Sequence, residues 1–294
     1  TQELFAADIS KFNLIIFDQY GLQGILPPKY LDNISKFVIS GGALLDIVGK
    51  KHLSKDSLIN SPIKQILPTT PLESISNNKY RPELTKVGKL HPITNKLKNN
   101  YKEKPWGEWT NYTRSQLTSG KVLLHNENDP LLVVDNVGKG RVVQILSSDS
   151  WVWQKSLDNK GPLIELLRNT IQWLLKNPKL DENFINLYRE NDTIKIKLNS
   201  ISSGDINAKI FTPSKKSVNF KLKDTGNGIF EGEFKSLERG KFQIIWKNKK
   251  KYFIINDINN KELAEITSTD NKIKSYAEKN NIYTKNFNII WNGQ

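Results

Sequence analysis

The chain has 294 residues, a formal net charge of +14, and neither cysteine nor methionine. Its length suits two domains better than one, and no stretch approaches the roughly 18 consecutive apolar residues that a membrane span requires. The absence of cysteine excludes disulfides, thiolate metal sites and thiolate nucleophiles.

The positive charge is carried mainly by lysine, since six of the 44 basic residues are Arg. Nucleic-acid sites favour Arg, whose planar guanidinium makes bidentate and stacking contacts. We therefore predict a generally solvated basic surface and no nucleic-acid partner. The densest cluster, residues 247–251, lies where a hairpin turn is expected. Weak attraction to anionic lipid stays open for a protein tethered near a membrane.

The first elements predict a βαβ unit. Residues 13–18 form a short apolar run that ends in an acid, which is typical of a buried parallel strand. Pro27 and Pro28 then begin a helix with apolar residues at helical spacing. The helix ends at Gly41, and residues 43–48 form the next strand. A strand, a helix and a second strand in this order predict a right-handed crossover.

The rest of the first half is predicted as loops, strands and a second helix. Six prolines interrupt residues 50–120, which we expect to form an irregular loop region over one edge of the sheet. Beyond it we expect two paired strands, a third strand and an amphipathic helix, at 121–124, 131–135, 141–146 and 163–175.

After Pro178 the apolar pattern changes to a period of two. Residues 193–198 alternate cleanly, and five further short strands follow before residue 256. Short strands separated by turn residues predict a small β-sandwich. The predicted domains are therefore an α/β domain over 1–178, a β-sandwich over 187–256 and a helix–strand tail over 257–294.

The order and spacing of several segments resemble the class I glutamine amidotransferase-like superfamily, in its non-catalytic, membrane-anchored bacterial branch. These segments are residues 14–45, 91–94, 105–109, 130–153 and 166–178. The resemblance implies a flavodoxin-like α/β fold for the first domain. The second domain resembles the all-β immunoglobulin-like sandwich that often follows it, and residues 260–280 resemble a short helical tail found in the same proteins.

The resemblance also implies where the protein works and which activity it lacks. Relatives of this type lie outside the cytoplasmic membrane between hydrophobic anchors, so we expect the chain to be a piece of a longer protein. Active amidotransferases carry their cysteine on the turn after a strand in the position of 43–48. Here that strand runs into Gly49, Lys50 and Lys51, which offer no thiol or hydroxyl. No glutaminase nucleophile, and no other catalytic residue, is therefore predicted.

Several polar residues are candidates for ligand binding because they follow predicted strands. The carboxyl edge of an α/β sheet is where ligands bind, and Asp18, His52 and Asp149 are expected there. His91 is a further candidate, in a loop before Pro92. Each also has a structural interpretation: the histidines organise loops, and Asp149 caps a turn or accepts hydrogen bonds from backbone N–H groups.

A set of aromatic residues completes the candidate binding surface. Tryptophan anchors interfaces and stacks on flat ligands, but the same spacing also buries alternate rings in a core. The residues are Trp106, Trp109, Trp151 and Trp153, with Arg114 beside them. No histidine lies at metal-ligand spacing from a second ligand, so no metal and no cofactor is predicted.

The expected function is a non-catalytic binding or assembly module of a membrane-anchored bacterial cell-envelope protein. We expect it on the periplasmic side of the inner membrane, with protein partners there and membrane attachment through segments outside this chain. The alternative is a hydrolase or amidotransferase-like enzyme that works without cysteine. It would use Ser148 or Asp149 with a nearby histidine, or a metal held by Asp18 and Asp149.

Overall fold

A computed structural model describes residues 9–22, 24, 26–76, 78–97, 106–155, 161–190, 193–202, 204–247 and 249–255. The predicted helix–strand tail, 257–294, lies outside the described residues. In the described part, no helix is long and apolar enough to cross a membrane.

The described residues of the first half of the chain contain eight strands and three α-helices. The strands are β1 (Leu14–Asp18), β2 (Ala43–Ile47), β3 (Thr69–Ser76), β4 (Glu83–Leu84), β5 (Tyr112–Leu117), β6 (Lys121–Asn126), β7 (Asp129–Val137) and β8 (Gly140–Ile145). The helices are α1 (Pro28–Ser40), α2 (Val152–Lys155) and α3 (Leu163–Leu174).

Six of these strands form one mixed sheet in the order β1-β2-β8-β7-β6-β4. Strands β1, β2 and β8 run parallel, and β7, β6 and β4 continue the sheet by antiparallel pairing. The parallel pairing of β1 with β2 around α1 confirms the predicted βαβ unit. The flavodoxin-like α/β prediction for this domain is likewise confirmed.

The helices cover both faces of this sheet, which explains why its central strands are apolar on both sides. On one face, Leu31 and Ile34 of α1 pack with Leu44 of β2. On the other, Leu166 and Trp173 of α3 share a core with the neighbouring strand residues. The result is a three-layer domain in which β2 and β8 are enclosed, whereas the edge strand β1 is partly exposed at Ile16.

The region between β2 and β6 is more ordered than predicted. It contains three short 3-10 helices, Lys50–Leu53, Leu58–Asn60 and Pro62–Ile66. Strands β3 and β5 then form a separate two-stranded antiparallel sheet with a register shift after Pro71. The expectation of an irregular loop region was therefore wrong for β3 and β5.

The described residues of the second half form a separate all-β domain of seven strands. They are β9 (Ile185–Glu190), β10 (Thr193–Asn199), β11 (Ile206–Phe211), β12 (Ser217–Gly226), β13 (Ile229–Lys235), β14 (Gly240–Trp246) and β15 (Lys249–Ile255). Their order in one antiparallel sheet is β15-β14-β11-β12-β13-β10-β9.

This sheet wraps around a single apolar core, to which all seven strands contribute. Its two edge strands approach each other, since the Lys251 ammonium on β15 lies 5.0 Å from the ring centroid of Phe184, just before β9. The sheet is therefore nearly closed, like a barrel.

Gly140 allows α1 and β8 to approach closely. A β-carbon at this position would overlap the carbonyl oxygens of Val38 and Gly42. We expect Gly140→Ala to lower the free energy of unfolding by about 2–3 kcal/mol, because neither backbone can move without disturbing the sheet. Urea denaturation measures the change.

Gly21→Ala is the matched control for this substitution. There the added carbon meets mainly the side chain of Lys51, which can rotate away. Equal losses of stability in the two variants would contradict the close approach at Gly140.

Candidate functional site

The candidate site is the carboxyl edge of the three parallel strands β1, β2 and β8. Asp18 ends β1 and is exposed, whereas Asp149 follows β8 and is buried. The two strands are separated by β2, so their backbones lie about 10 Å apart. Among the residues that the structure describes, no group of three metal-ligating side chains occurs.

The Asp149 carboxylate is bound by a set of hydrogen bonds from one loop. Its Oδ2 accepts from the backbone N–H of Asn111 at 2.9 Å, from the Asn111 side-chain amide at 2.9 Å, and from the Thr110 N–H at 3.3 Å. The Thr110 hydroxyl donates to the same oxygen, and Ser148 donates to Oδ1 at 3.2 Å. Asp149 thereby fastens residues 110–111 to the turn after β8.

These hydrogen bonds also lower the pKa of Asp149 and so keep its carboxylate charged. Burial alone would raise its pKa, but the bonds from Thr110, Asn111 and Ser148 together lower it. The carboxylate is therefore ionised at neutral pH and has little tendency to take up a proton. These properties are the opposite of those that a general base working near neutral pH requires.

The hydroxyl of Ser147, two residues before Asp149, is also engaged in structural hydrogen bonds. The Ser147 hydroxyl donates to the Asn111 carbonyl at 2.6 Å, and it accepts from the Asp149 N–H at 3.1 Å. The Tyr80 hydroxyl lies 3.4 Å from the same oxygen. Ser147 is buried, so it is a part of the turn and is not presented to a substrate.

None of the three histidines is hydrogen-bonded to a hydroxyl in the described part of the chain. His52 Nε2 is buried without a partner, His91 bonds to Glu182, and His125 Nδ1 bonds to the Glu127 carbonyl at 2.6 Å. The described residues therefore do not assemble the nucleophile–base pair that a serine hydrolase needs.

His52 lies on the first 3-10 helix after β2, as its position in the sequence suggested. Burial lowers its pKa to about 4, so the ring is neutral at physiological pH. It lines an open cavity of about 410 Å³ together with Leu53, Ile59 and Leu72. Ser54 and Asn60 also line the cavity, so its wall is both polar and apolar.

A buried carboxylate lies beneath this edge, inside β2. Asp46 Oδ2 accepts a hydrogen bond from Gln144 Nε2 at 2.9 Å, and Gln144 Oε1 accepts from the Thr69 hydroxyl at 2.7 Å. Burial raises the pKa of Asp46 to about 6, against the opposing effect of the Gln144 bond. The three side chains tie β2, β8 and β3 together.

The structure brings three of the four candidate tryptophans together in the core. Trp153 packs against Trp106 and Trp109, with ring centroids 5.5 and 4.8 Å apart. The Trp153 indole N–H donates to the Gly107 carbonyl at 2.8 Å. Trp151, by contrast, is 48% exposed. Arg114 is exposed and pairs with Asp129 at 2.9 Å.

His91 lies at the junction of the two domains, away from Asp149. Its Nδ1 accepts from the Ile93 N–H at 3.2 Å, so the proton is on Nε2, which donates to Glu182 at 3.0 Å. Lys121 also bonds to Glu182. Burial lowers the pKa of His91, whereas the bonds from His91 and Lys121 outweigh burial and hold the pKa of Glu182 well below its usual range.

The predicted residues thus occupy different places in the fold. Asp18, His52, Asp149 and Trp151 lie on segments at the carboxyl edge, three tryptophans form a core, and His91 belongs to the domain junction. Three residues of these clusters were missed by sequence analysis: Thr110, Asn111 and Glu182. Thr110 and Asn111 carry no sequence signal, since their contact with Asp149 depends on where a long loop crosses the sheet.

Comparisons with known proteins give structural likenesses only. No protein-family model and no curated protein sequence matches the chain. The cytoplasmic protein STM3548 from Salmonella typhimurium is 21% identical, with a TM-score of 0.46 over 59% of this chain and 74% of that one. The cytoplasmic protein STM1381 from Salmonella typhimurium LT2 is 20% identical, with a TM-score of 0.45 over 56% of this chain and 73% of that one.

A β-galactosidase from Bacillus circulans sp. alkalophilus matches across both domains. It is 13% identical, with a TM-score of 0.36 over 78% of this chain and 34% of that chain. This chain thus spans about a third of the galactosidase. At these identities and TM-scores, the likenesses assign neither an activity nor a ligand to the chain.

The hydrogen bonds of Asp149 predict a large effect of removing its carboxylate. Asp149→Ala leaves the backbone N–H groups of Thr110 and Asn111 without their acceptor, which we expect to cost about 2–4 kcal/mol of unfolding free energy. Hydrogen exchange should show faster exchange at these two amides. Ser148→Ala is the control, because it removes a single contact; unchanged exchange in Asp149→Ala would contradict the assignment.

The raised pKa of Asp46 predicts that this residue makes the fold less stable as the pH rises. Its folded-state pKa of about 6 lies above the ordinary 3.8, so its contribution to stability is complete below about pH 4 and is lost as the pH rises through 6. We expect Asp46→Asn to raise the free energy of unfolding by about 1–2 kcal/mol above pH 7.

Denaturation at several pH values tests whether Asp46→Asn is more stable than the unaltered chain above pH 7. Asp18→Asn, which removes a carboxylate at the exposed end of β1, is the control. A loss of stability in Asp46→Asn above pH 7 would show that the ionised carboxylate is needed in the core.

Proposed function

We propose that the chain is a non-catalytic binding or assembly module of a membrane-anchored bacterial cell-envelope protein. In this proposal it lies on the periplasmic side of the inner membrane, is attached through segments outside this chain, and binds protein partners there. The carboxyl-edge loops of the first domain form the binding surface, and the second domain acts as a spacer or a further docking surface.

One observation carries the proposal: the polar groups at the carboxyl edge hold the loops to the sheet. Asp149 accepts from Thr110, Asn111 and Ser148, and Ser147 bonds to the Asn111 carbonyl. Groups that are fixed by several hydrogen bonds form a rigid platform, and rigidity favours binding because little conformational entropy is lost when a partner docks.

Trp151 is an exposed aromatic residue at this carboxyl edge. Trp151 follows directly after the Asp149 turn and is 48% exposed. Tryptophan contributes strongly to protein interfaces because its large rigid ring buries much area. Lys50, after β2, is also exposed on the same edge, and it would favour an acidic partner surface.

We further infer that the two domains have the finer identities that the sequence resembles. For the first domain, the parallel strands β1, β2 and β8 and the helix α1 support an amidotransferase-like fold without its cysteine. For the second, the strand order supports an immunoglobulin-like module. Naming β9 to β15 as A, B, C, C′, E, F and G gives the order G-F-C-C′-E-B-A, which contains the neighbours of both immunoglobulin sheets.

Photo-crosslinking from position 151 tests the proposal directly. A benzophenone amino acid replaces Trp151 in the full-length protein, which is then irradiated in the host's cell envelope. We expect a discrete protein adduct. The control position is Leu175, also 48% exposed but at the far end of α3, where no adduct is expected.

Two results would contradict the proposal. One is the same adduct pattern, or none, at both positions. The other is hydrolysis of an amide or ester by the purified chain that Ser148→Ala abolishes, which would favour the hydrolase alternative.

A further inference from the structure

Three neighbouring strands of the second domain carry lysines and no acidic residue. Strands β11, β14 and β15 contain five lysines: Lys209, Lys241, Lys249, Lys250 and Lys251. An Asp or Glu is absent from all three strands, whose residues are all described. Positive charge is therefore concentrated on one side of this domain rather than distributed evenly over the surface.

The strand register places three of these lysines on one outward face. Lys209 pairs with Ile245, and Ile245 pairs with Lys250, so the three side chains form a row across β11, β14 and β15. Lys241 pairs with Ile254 on the same face, four residues from Ile245 along β14. We call this surface the basic face: Lys209, Lys241, Ile245, Lys250, Tyr252 and Ile254.

The basic face also exposes apolar side chains. Tyr252 and Ile254 are 54% and 56% exposed. The Lys241 ammonium lies 4.2 Å from the centroid of the Tyr252 ring, and Gln243 donates to the Tyr252 hydroxyl at 2.9 Å. These contacts hold the tyrosine ring among the lysines, so charge and apolar area are mixed on one surface.

The lysines of the basic face lack ion-pair partners among the described residues, whereas both lysines of β10, on the far side of the sheet, are paired. On β10, Lys195 bonds to Glu190 and Glu233, and Lys197 bonds to Glu231 at 2.6 Å. The charge of that side is balanced internally. Within the part of the chain that the structure describes, the charge of Lys209, Lys241 and Lys250 is therefore uncompensated and available to an external anion.

We propose that the basic face docks on the surface of an anionic phospholipid bilayer. Lysine ammonium groups would reach the lipid phosphates, Tyr252 would lie at headgroup level, and Ile254 would enter the acyl boundary. The face lies on the outside of the sheet and mixes lysines with exposed apolar side chains, the combination that the boundary between headgroups and acyl chains accommodates. Its lone exposed ring and its lysines in place of arginines make it a poor stacking platform for single-stranded nucleic acid.

The proposal stands independently of the carboxyl-edge platform, since it rests on the other domain. Attraction of about 1 kcal/mol per lysine near the surface corresponds to about fivefold in the partition coefficient. Reversing three lysines should therefore weaken partitioning by at least about 100-fold.

Sedimentation with lipid vesicles tests the proposal. The chain is mixed with vesicles of phosphatidylglycerol and phosphatidylcholine in equal parts, and with vesicles of phosphatidylcholine alone. We expect binding to the anionic vesicles, weakening as salt is raised, and little binding to the neutral ones. Lys209→Glu/Lys241→Glu/Lys250→Glu should abolish it.

The matched control carries the same change of net charge on the first domain. It is Lys29→Glu/Lys64→Glu/Lys89→Glu, three exposed lysines outside the basic face, and it should retain most of the binding. A second variant, Tyr252→Ser/Ile254→Ser, should weaken binding at high salt more than at low salt, because only the apolar contacts persist there.

Three outcomes would overturn the proposal. They are absence of binding to the anionic vesicles, equal losses in the two triple variants, and binding to single-stranded DNA through the basic face in the absence of vesicle binding. Circular dichroism of each variant establishes that it is folded before its binding is compared.

Discussion

The carboxylate of Asp149 determines how the carboxyl edge of the first domain is built. It accepts hydrogen bonds from two consecutive residues of a loop, Thr110 and Asn111, through both backbone and side-chain donors. The loop then positions Tyr80 through the Asn111 carbonyl, to which the Tyr80 hydroxyl donates at 3.3 Å. Because the Asp149 carboxylate accepts these hydrogen bonds and holds residues 110–111 in place, it is not available to transfer protons.

The other buried ionisable groups support the same interpretation of the edge. His52 is neutral because burial lowers its pKa, and Asp46 is bonded to Gln144 in the interior of the sheet. The ionised Glu182 is satisfied at the domain junction by His91 and Lys121. Asp46 and Glu182 are thus held by structural contacts, whereas His52 Nε2 has no hydrogen-bond partner among the described residues. None of the three side chains is hydrogen-bonded to a serine in that part of the chain. The exposed groups, Trp151 on one domain and the basic face on the other, are instead suited to contacts with larger partners.

Much of the fold could be predicted from the sequence where the apolar pattern is strong. The helix expected over 163–175 is observed as α3, Leu163–Leu174, and the strand expected over 141–146 is β8, Gly140–Ile145. Strands β3 and β5 were missed. Pro71 lies inside β3, whose partner comes much later in the chain, so the pairing depends on tertiary contacts. Strand β9 was missed because Tyr188 lies at an outward position and Arg189 at an inward one, which weakens the alternation.

The candidate site was predictable in position but not in detail. Parallel strands that end together place Asp18, the His52 segment and the Asp149 turn at one edge, and their order along the chain is enough to show this. Whether Asp149 binds a ligand or a backbone loop depends on residues far away in sequence. The burial of Trp106, Trp109 and Trp153 likewise follows from packing against one another, which alternation alone does not distinguish from a surface cluster.

Reaction of the purified chain with a fluorophosphonate probe distinguishes an edge that binds from one that catalyses. This reagent labels serines that a neighbouring base activates. We expect no labelling of Ser147, Ser148 or Ser150 above that of the urea-unfolded chain, measured by mass spectrometry of the peptides. Stoichiometric labelling of one of these serines in the folded chain, lost on unfolding, would show an activated nucleophile at this edge and would overturn the proposed binding role.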